Sequence, residues 1–175
     1  LGAHIDSPRM DLKQDPLYED TDFAMLDTHY YGGIKKYQWV TLPLALHGVI
    51  AKKDGTVVKV SVGDKPGDPV FTEFCNSHYL SGEQMEKKAA KVIEGENLDL
   101  IIGSIPAEAD EKDDVKEKVK ANIMKILAKE YDIEEEDFLS AEIEVVPAGE
   151  ARDYGFDRSM IMGYGHHDRV CAYAS

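Results

Sequence analysis

His47-Gly-Val-Ile-Ala-Lys-Lys-Asp-Gly-Thr-Val-Val-Lys-Val-Ser-Val62 carries the clearest sheet pattern in this chain of 175 residues. In its second half every other residue is apolar, at Val58, Val60 and Val62, which is the period-2 pattern of a strand with one buried face. Between the two halves lies Asp54-Gly55, a dipeptide that tolerates positive φ at both turn positions. We therefore expect His47 to Lys53 and Thr56 to Val62 to pair as a β-hairpin.

Further elements are predicted on both sides of this hairpin. An acid-rich polar stretch, Asp11 to Asp27, precedes β structure from Tyr30 to Val62, in which Tyr37 and Trp39 alternate with polar neighbours. The short apolar run Leu98 to Ile105 is typical of a buried strand. Alternation indicates one more strand, from Ala141 to Pro147.

Two helices are predicted between these strands. A capping box of Ser81 and Gln84 favours a short helix, and apolar residues at helical spacing favour a longer one from Asp113 to Tyr131. Because strands and helices do not alternate as regular βαβ units, we assign an α+β class with an antiparallel-rich sheet. The acidic run Glu134 to Asp137 is interpreted as solvated surface.

The charge balance excludes some functions. Twenty basic against 34 acidic residues give a formal charge of −14, which disfavours nucleic acid and anionic membrane surfaces as partners. The chain has two cysteines, Cys75 and Cys171, and no apolar run long enough for a membrane span, which favours the cytoplasm. The first residue is Leu1 and the last segment ends abruptly, so we expect a piece of a longer protein.

Two short motifs at opposite ends of the chain contain metal-binding residue types. In His4-Ile-Asp6 an extended backbone would direct the imidazole and the carboxylate to the same side. In Gly165-His-His-Asp-Arg169 two imidazoles and a carboxylate follow a glycine. Taken alone, the first motif also fits an ordinary structural role of histidine, and the second fits a polar surface loop.

Four segments in order along the chain resemble the aspartyl aminopeptidase and aminopeptidase I family of co-catalytic zinc exopeptidases. They are Gly2-Ala-His-Ile-Asp-Ser-Pro-Arg-Met-Asp-Leu-Lys13, Pro16-Leu-Tyr-Glu-Asp20, Thr28-His-Tyr-Tyr-Gly-Gly-Ile34 and Gly163-Tyr-Gly-His-His-Asp-Arg-Val-Cys-Ala-Tyr173. The resemblance implies a cytoplasmic aminopeptidase with two zinc ions per complete active site. The resemblance also implies that the complete protein acts on short peptides and forms homo-oligomers.

The resemblance also assigns roles to individual residues. It implies that His4 ligates zinc and that Asp6 orients His4. The family's bridging carboxylate is the first acid of a pair, and in this chain that position is occupied by His167, with Asp168 next. A neutral imidazole offers one lone pair to one metal, whereas a carboxylate can bridge two. Either Asp168 is the bridge, or His167 occupies the bridging position and the two-metal site is altered; the family register favours the second.

By the same resemblance, the chain divides into three parts. Residues 1–12 and 159–175 would be pieces of an α/β/α catalytic domain, and residues 13–158 an inserted lid and oligomerisation domain. The later family ligands have no counterparts here, so we expect the isolated chain to be inactive. The alternative function is a noncatalytic interaction module, which we prefer for the isolated chain.

Overall fold

The chain forms a seven-stranded antiparallel sheet in a computed structural model that describes residues 1–73, 86–108 and 116–175. The strand order is β4-β3-β7-β1-β2-β6-β5, and a separate two-stranded sheet is formed by β8 and β9. The strands are β1 (Arg9–Asp20), β2 (Phe23–Tyr31), β3 (Leu44–Ala51), β4 (Val57–Val62), β5 (Thr72–Glu73), β6 (Leu100–Gly103), β7 (Ala141–Pro147), β8 (Arg152–Tyr154) and β9 (Met160–Met162).

The predicted hairpin is confirmed as β3 and β4, whose closing pair is Ala51 and Val57. Its turn differs from the expected two-residue form, because Gly55 alone takes a positive φ, of 87°. The carboxylate of Asp54 instead accepts a hydrogen bond from the backbone N–H of Thr56 at 2.8 Å. Beyond the closing pair, the backbone N–H of Lys52 donates to the carbonyl of Thr56 at 2.8 Å, which leaves a three-residue loop, 53–55. Such a loop with glycine in the left-handed position is the next most common hairpin connection.

The central hairpin of the sheet, β1 and β2, lies in the stretch predicted to be merely polar. Its apolar alternation is interrupted by a register shift between Leu12 and Leu17, where Asp15 has a φ of 55°. Its turn residues Thr21 and Asp22 both have positive φ, 48° and 63°, without the usual asparagine or glycine. Both signals that normally identify a hairpin are therefore weak here.

The predicted strand through Tyr37 and Trp39 is wrong. These residues belong to a four-residue helix, α1 (Lys36–Trp39). Trp39 is buried there and meets the ring of Tyr164 edge-on, with 6.5 Å between ring centroids. This tertiary contact outweighs the local β preference of the aromatic residues.

The long helix is confirmed as α2 (Lys118–Tyr131), although it begins after Lys116 and Glu117, which precede it as non-helical residues. Asp132 ends it in the left-handed conformation. The predicted cap at Ser81 and Gln84 lies outside the described residues. The segment that follows contains two 3₁₀ turns, Ala89–Lys91 and Gly95–Asn97, rather than a continuing helix.

The hydrophobic core lies between one face of the sheet, α2 and a 3₁₀ turn at Glu135–Ser140. That turn corrects the interpretation of the acidic run as surface for Asp137 alone, since Glu134 and Glu136 are exposed as expected. Asp137 is buried, and its carboxylate accepts a hydrogen bond from the backbone N–H of Glu134 at 2.9 Å, as part of a capping box. The strands predicted at Leu98 to Ile105 and Ala141 to Pro147 correspond to β6 and β7.

The observed architecture confirms the α+β class. The predicted division at residues 12/13 falls within β1, and the three-part domain scheme stays a prediction. None of the helices in the described parts of the chain has the length and apolar composition needed to cross a membrane. Cys171 is an exposed free thiol, and Cys75 lies outside the described residues.

Candidate metal centre

The two predicted metal motifs lie side by side. Residues 1–8 run without regular structure into β1, and α3 (His166–Ala174) starts directly after Gly165. The segment between them includes all nine strands, so the fold itself joins motifs that are far apart in sequence.

Gly165 permits this close approach. Its φ is 69°, in the left-handed region that favours glycine. A Cβ atom at this position would lie 2.8 Å from the hydroxyl oxygen of Ser7, closer than real Cβ contacts allow. The glycine therefore sets both the start of α3 and its distance from the N-terminal segment.

Asp168 is the centre of the cluster. The ring nitrogen Nδ1 of His4 lies 2.7 Å from Asp168 Oδ1, and the hydroxyl of Ser7 donates to Oδ2 at 2.9 Å. His167 Nε2 approaches the same Oδ2 at 3.0 Å. The Asp168 side chain is only 7% exposed, whereas those of His4 and His167 are each 71% exposed. A buried carboxylate is thus held between solvent-accessible imidazoles.

These contacts keep the carboxylate in its charged form. Burial opposes ionisation of Asp168, but the hydrogen bonds from His4 and Ser7 and the charges of His167 and His4 outweigh it and lower its pKa below the usual value. An ionised carboxylate is the form that binds metal ions.

Asp6 follows His4 by two residues and bonds to the sheet. Its Oδ1 accepts a hydrogen bond from Arg9 Nη1 at 3.2 Å, and its Oδ2 accepts one from the Tyr31 hydroxyl at 2.9 Å. The neighbouring Pro8 carbonyl accepts a hydrogen bond from Tyr164. Partial burial raises the pKa of Tyr164 to about 12, so the phenol remains a donor.

Sequence reasoning identified four members of this region and missed four. His4, Asp6, His167 and Asp168 were found because they are metal-binding types in short motifs. The structure brings His4, His167 and Asp168 into contact and ties Asp6 to β1 and β2. Ser7, Arg9, Tyr31 and Tyr164 were missed as site residues. The first two adjoin His4 and Asp6 in the chain, but no pattern in the sequence identifies their partners.

The donor set fits part of a zinc site. Zinc in proteins takes imidazole nitrogen and carboxylate oxygen, and His4 and Asp168 present these two atoms at adjacent positions. Within residues 1–73, 86–108 and 116–175, no group of three His, Cys, Asp or Glu side chains, the cluster of His4, His167 and Asp168 included, is arranged so that it could hold a metal ion by itself. A four-coordinate zinc would therefore take further ligands from outside these residues.

Comparison with known proteins agrees with this chemistry. The family model for aminopeptidase I zinc metalloprotease (M18) matches residues 1–175. A probable M18 family aminopeptidase 1 from Clostridium acetobutylicum is 70% identical over the whole chain, which spans 37% of that relative's length.

Solved structures give the same result. The chain resembles the crystal structure of an M18 aminopeptidase from Thermotoga maritima with a TM-score of 0.87 and 53% identity, covering 98% of this chain and 37% of that one. For aminopeptidase I from Clostridium acetobutylicum the TM-score is 0.86 and the identity 67%, with the same coverage. The chain belongs to the aminopeptidase I zinc metalloprotease family, M18.

Proposed function

We propose that this chain supplies the first part of the active site of a zinc aminopeptidase that removes N-terminal residues from short peptides. The observation that carries the proposal is the 2.7 Å contact between His4 and Asp168, which are 164 positions apart. Because the chain spans 37% of its Clostridium relative, the complete site would belong to a longer protein.

In this proposal His4 would hold one zinc ion and the carboxylate of Asp168 would be shared by two. The carboxylate of Asp168 is supported by two observations: it is buried in the cluster, and both of its oxygens face polar partners. His167 has one ring nitrogen near Asp168 and is largely exposed, which supports a neighbouring rather than a bridging position. The family register favours His167 as the bridge, whereas the geometry supports Asp168.

Bound zinc supplies Lewis acidity, which lowers the pKa of water and polarises a peptide carbonyl. The residues of this chain hold and orient the donors for that chemistry. Ser7 donates to Asp168 Oδ2 and leaves Oδ1 directed at His4. Gly165 keeps α3 close enough for these contacts.

The proposed protein is a cytoplasmic homo-oligomer. Low cysteine content supports the location. For association, the apolar residues around Trp39 to Val49 give little support, because Trp39, Leu44, Ala45 and Leu46 are buried and only Val49 is exposed among the apolar strand residues. Support comes instead from the hairpin of β8 and β9, where Phe156, Met160, Ile161 and Met162 are all exposed. Exposed apolar clusters of this kind favour contact with another protein surface.

A noncatalytic interaction module remains the alternative for the isolated chain, because its described residues contribute only part of a metal site. The two functions differ in their metal dependence. A zinc-dependent activity of the longer protein that requires His4 identifies the enzyme, and association without metal dependence identifies the module.

Metal analysis of variants in the longer protein tests the proposal. We expect Asp168→Ala to lower the zinc content from about two per chain to one or fewer, because the bridging oxygens are lost. His167→Asp is the matched variant one residue away, and we expect it to change the zinc content little. An increase in zinc content with His167→Asp, together with an unaltered content in Asp168→Ala, would contradict the assignment of Asp168 as the bridge.

A further inference from the structure

Asp6 is fixed by two donors that belong to the sheet. Arg9 Nη1 donates to Oδ1 at 3.2 Å and the Tyr31 hydroxyl donates to Oδ2 at 2.9 Å. Asp6 itself lies in the irregular N-terminal segment, and its side chain is 56% exposed. Without these donors, no helix or strand would define where this carboxylate points.

The two donors form one rigid unit. Arg9 and Tyr31 are directly paired across β1 and β2, and the guanidinium carbon of Arg9 lies 4.4 Å from the centre of the Tyr31 ring. The Nε atom of Arg9 lies 2.8 Å from the carboxylate of Asp11 and 3.1 Å from that of Glu144 on β7. The Arg9 side chain is only 19% exposed, so it is anchored in the middle of the sheet.

This arrangement leaves Asp6 able to accept further hydrogen bonds. Each carboxylate oxygen has two lone pairs, and Arg9 and Tyr31 use one on each oxygen. Asp6 is two residues from His4, the spacing at which extended residues point to the same side. The Nδ1 atom of His4 faces Asp168. If Nδ1 binds zinc, the proton of the neutral ring lies on Nε2, which can then donate to a second carboxylate.

We propose that Arg9 and Tyr31 are positioning residues that hold Asp6 for contact with His4 and thereby set the affinity of the zinc site. The inference rests on the proposed function, because it requires His4 to bind zinc. It also connects the metal centre to the sheet, since both donors are strand residues whose positions depend on the pairing of β1 with β2 and β7.

The test uses the longer protein and measures its affinity for Zn²⁺ by competition with a chromophoric chelator. Tyr31→Phe removes the hydroxyl and keeps the ring beside Arg9. We expect its zinc affinity to fall about tenfold, the lower end of the effect of removing an outer partner of a metal ligand. Tyr30→Phe is the matched control: it is the adjacent tyrosine, its side chain points to the opposite side of the strand, and we expect no change.

Arg9 is tested by a graded pair of substitutions. Arg9→Lys keeps the positive charge beside Asp6, whereas Arg9→Met keeps only the length of the side chain. We expect a smaller loss of zinc affinity with Arg9→Lys. Equal losses in both variants, with the fold intact by circular dichroism, would show that the charge near Asp6 does not act on the metal site.

A double-mutant cycle separates positioning from a merely structural role. If Tyr31 acts through Asp6, Tyr31→Phe should have little effect on zinc affinity in an Asp6→Asn background. Additive losses would overturn the inference while leaving the proposed function intact. Zinc binding by the unaltered protein that does not depend on His4 or Asp168 would instead overturn the proposed function.

Discussion

Gly165 shows how a single residue controls the geometry of the candidate metal centre. We expect Gly165→Ala to destabilise the chain by roughly 1–3 kcal/mol, because a non-glycine residue is strained at this φ and its Cβ meets Ser7. Gly55→Ala is the matched control: φ there is also positive, at 87°, but the space around it is open. Thermal unfolding should show the larger loss at Gly165. Equal losses of stability at the two positions would mean that the Ser7 side chain moves away from the new Cβ atom without destabilising the fold.

Glu73, at the sheet edge, predicts a pH dependence of stability. It is buried, has no hydrogen-bond partner among the described residues, and burial raises its pKa from 4.5 to about 7. Between these pH values the folded state retains a proton that the unfolded chain has released. The stability contributed by Glu73 is therefore complete below about pH 4.5 and is lost as pH rises through about 7.

Substitution of Glu73 tests this dependence. Glu73→Gln should make the protein more stable than wild type at pH 8, by on the order of 1 kcal/mol after solvent screening is considered, and should bring little change at pH 4.5. Urea unfolding at several pH values measures the difference, with Glu142→Gln on the exposed side of β7 as control. Parallel pH profiles for Glu73→Gln and wild type would indicate that the pKa of Glu73 is the same in the folded and unfolded states, and would contradict this prediction.

At the scale of elements, the turn between β1 and β2 contains residues that are poorly suited to its backbone conformation. Thr21 and Asp22 both occupy the left-handed region, which a β-branched residue enters at a cost of about 1 kcal/mol. Replacing the pair with Asn-Gly should raise the free energy of unfolding by roughly 1–2 kcal/mol. Thr56→Asn in the other hairpin, at a residue without positive φ, should bring no gain. A destabilised Asn-Gly variant would contradict the turn geometry.

The elements that sequence predicted are those whose signals are local. The β3 and β4 hairpin has alternation and a glycine at the turn, and α2 has helical spacing, so both were found. The β1 and β2 hairpin was missed because its bulge breaks the alternation, and α1 was taken for strand because Trp39 is placed by Tyr164, a residue far away in sequence. At the metal centre, motifs identified His4 and Asp168, but the bonds of Asp6 to Arg9 and Tyr31 depend on strand pairing.

For the whole molecule, we expect the 175-residue chain alone to lack peptidase activity. The described residues offer an imidazole and a carboxylate where a two-zinc site needs more ligands. Hydrolysis of aminoacyl chromogenic substrates should stay at background for the purified chain with added zinc. Turnover that is removed by a chelator and by His4→Ala would refute this expectation and show that the chain completes its own site.

The 164 positions between His4 and Asp168 also imply an order of events during folding. Direct closure of so long a loop is entropically costly, but pairing of the strands places Arg9 on β1 and Pro147 at the end of β7 in one sheet, which shortens the chain that remains to be closed. The contact between His4 and Asp168 is therefore expected to form last. During synthesis, His4 leaves the ribosome long before Asp168, and it stays without this partner until the sheet has closed.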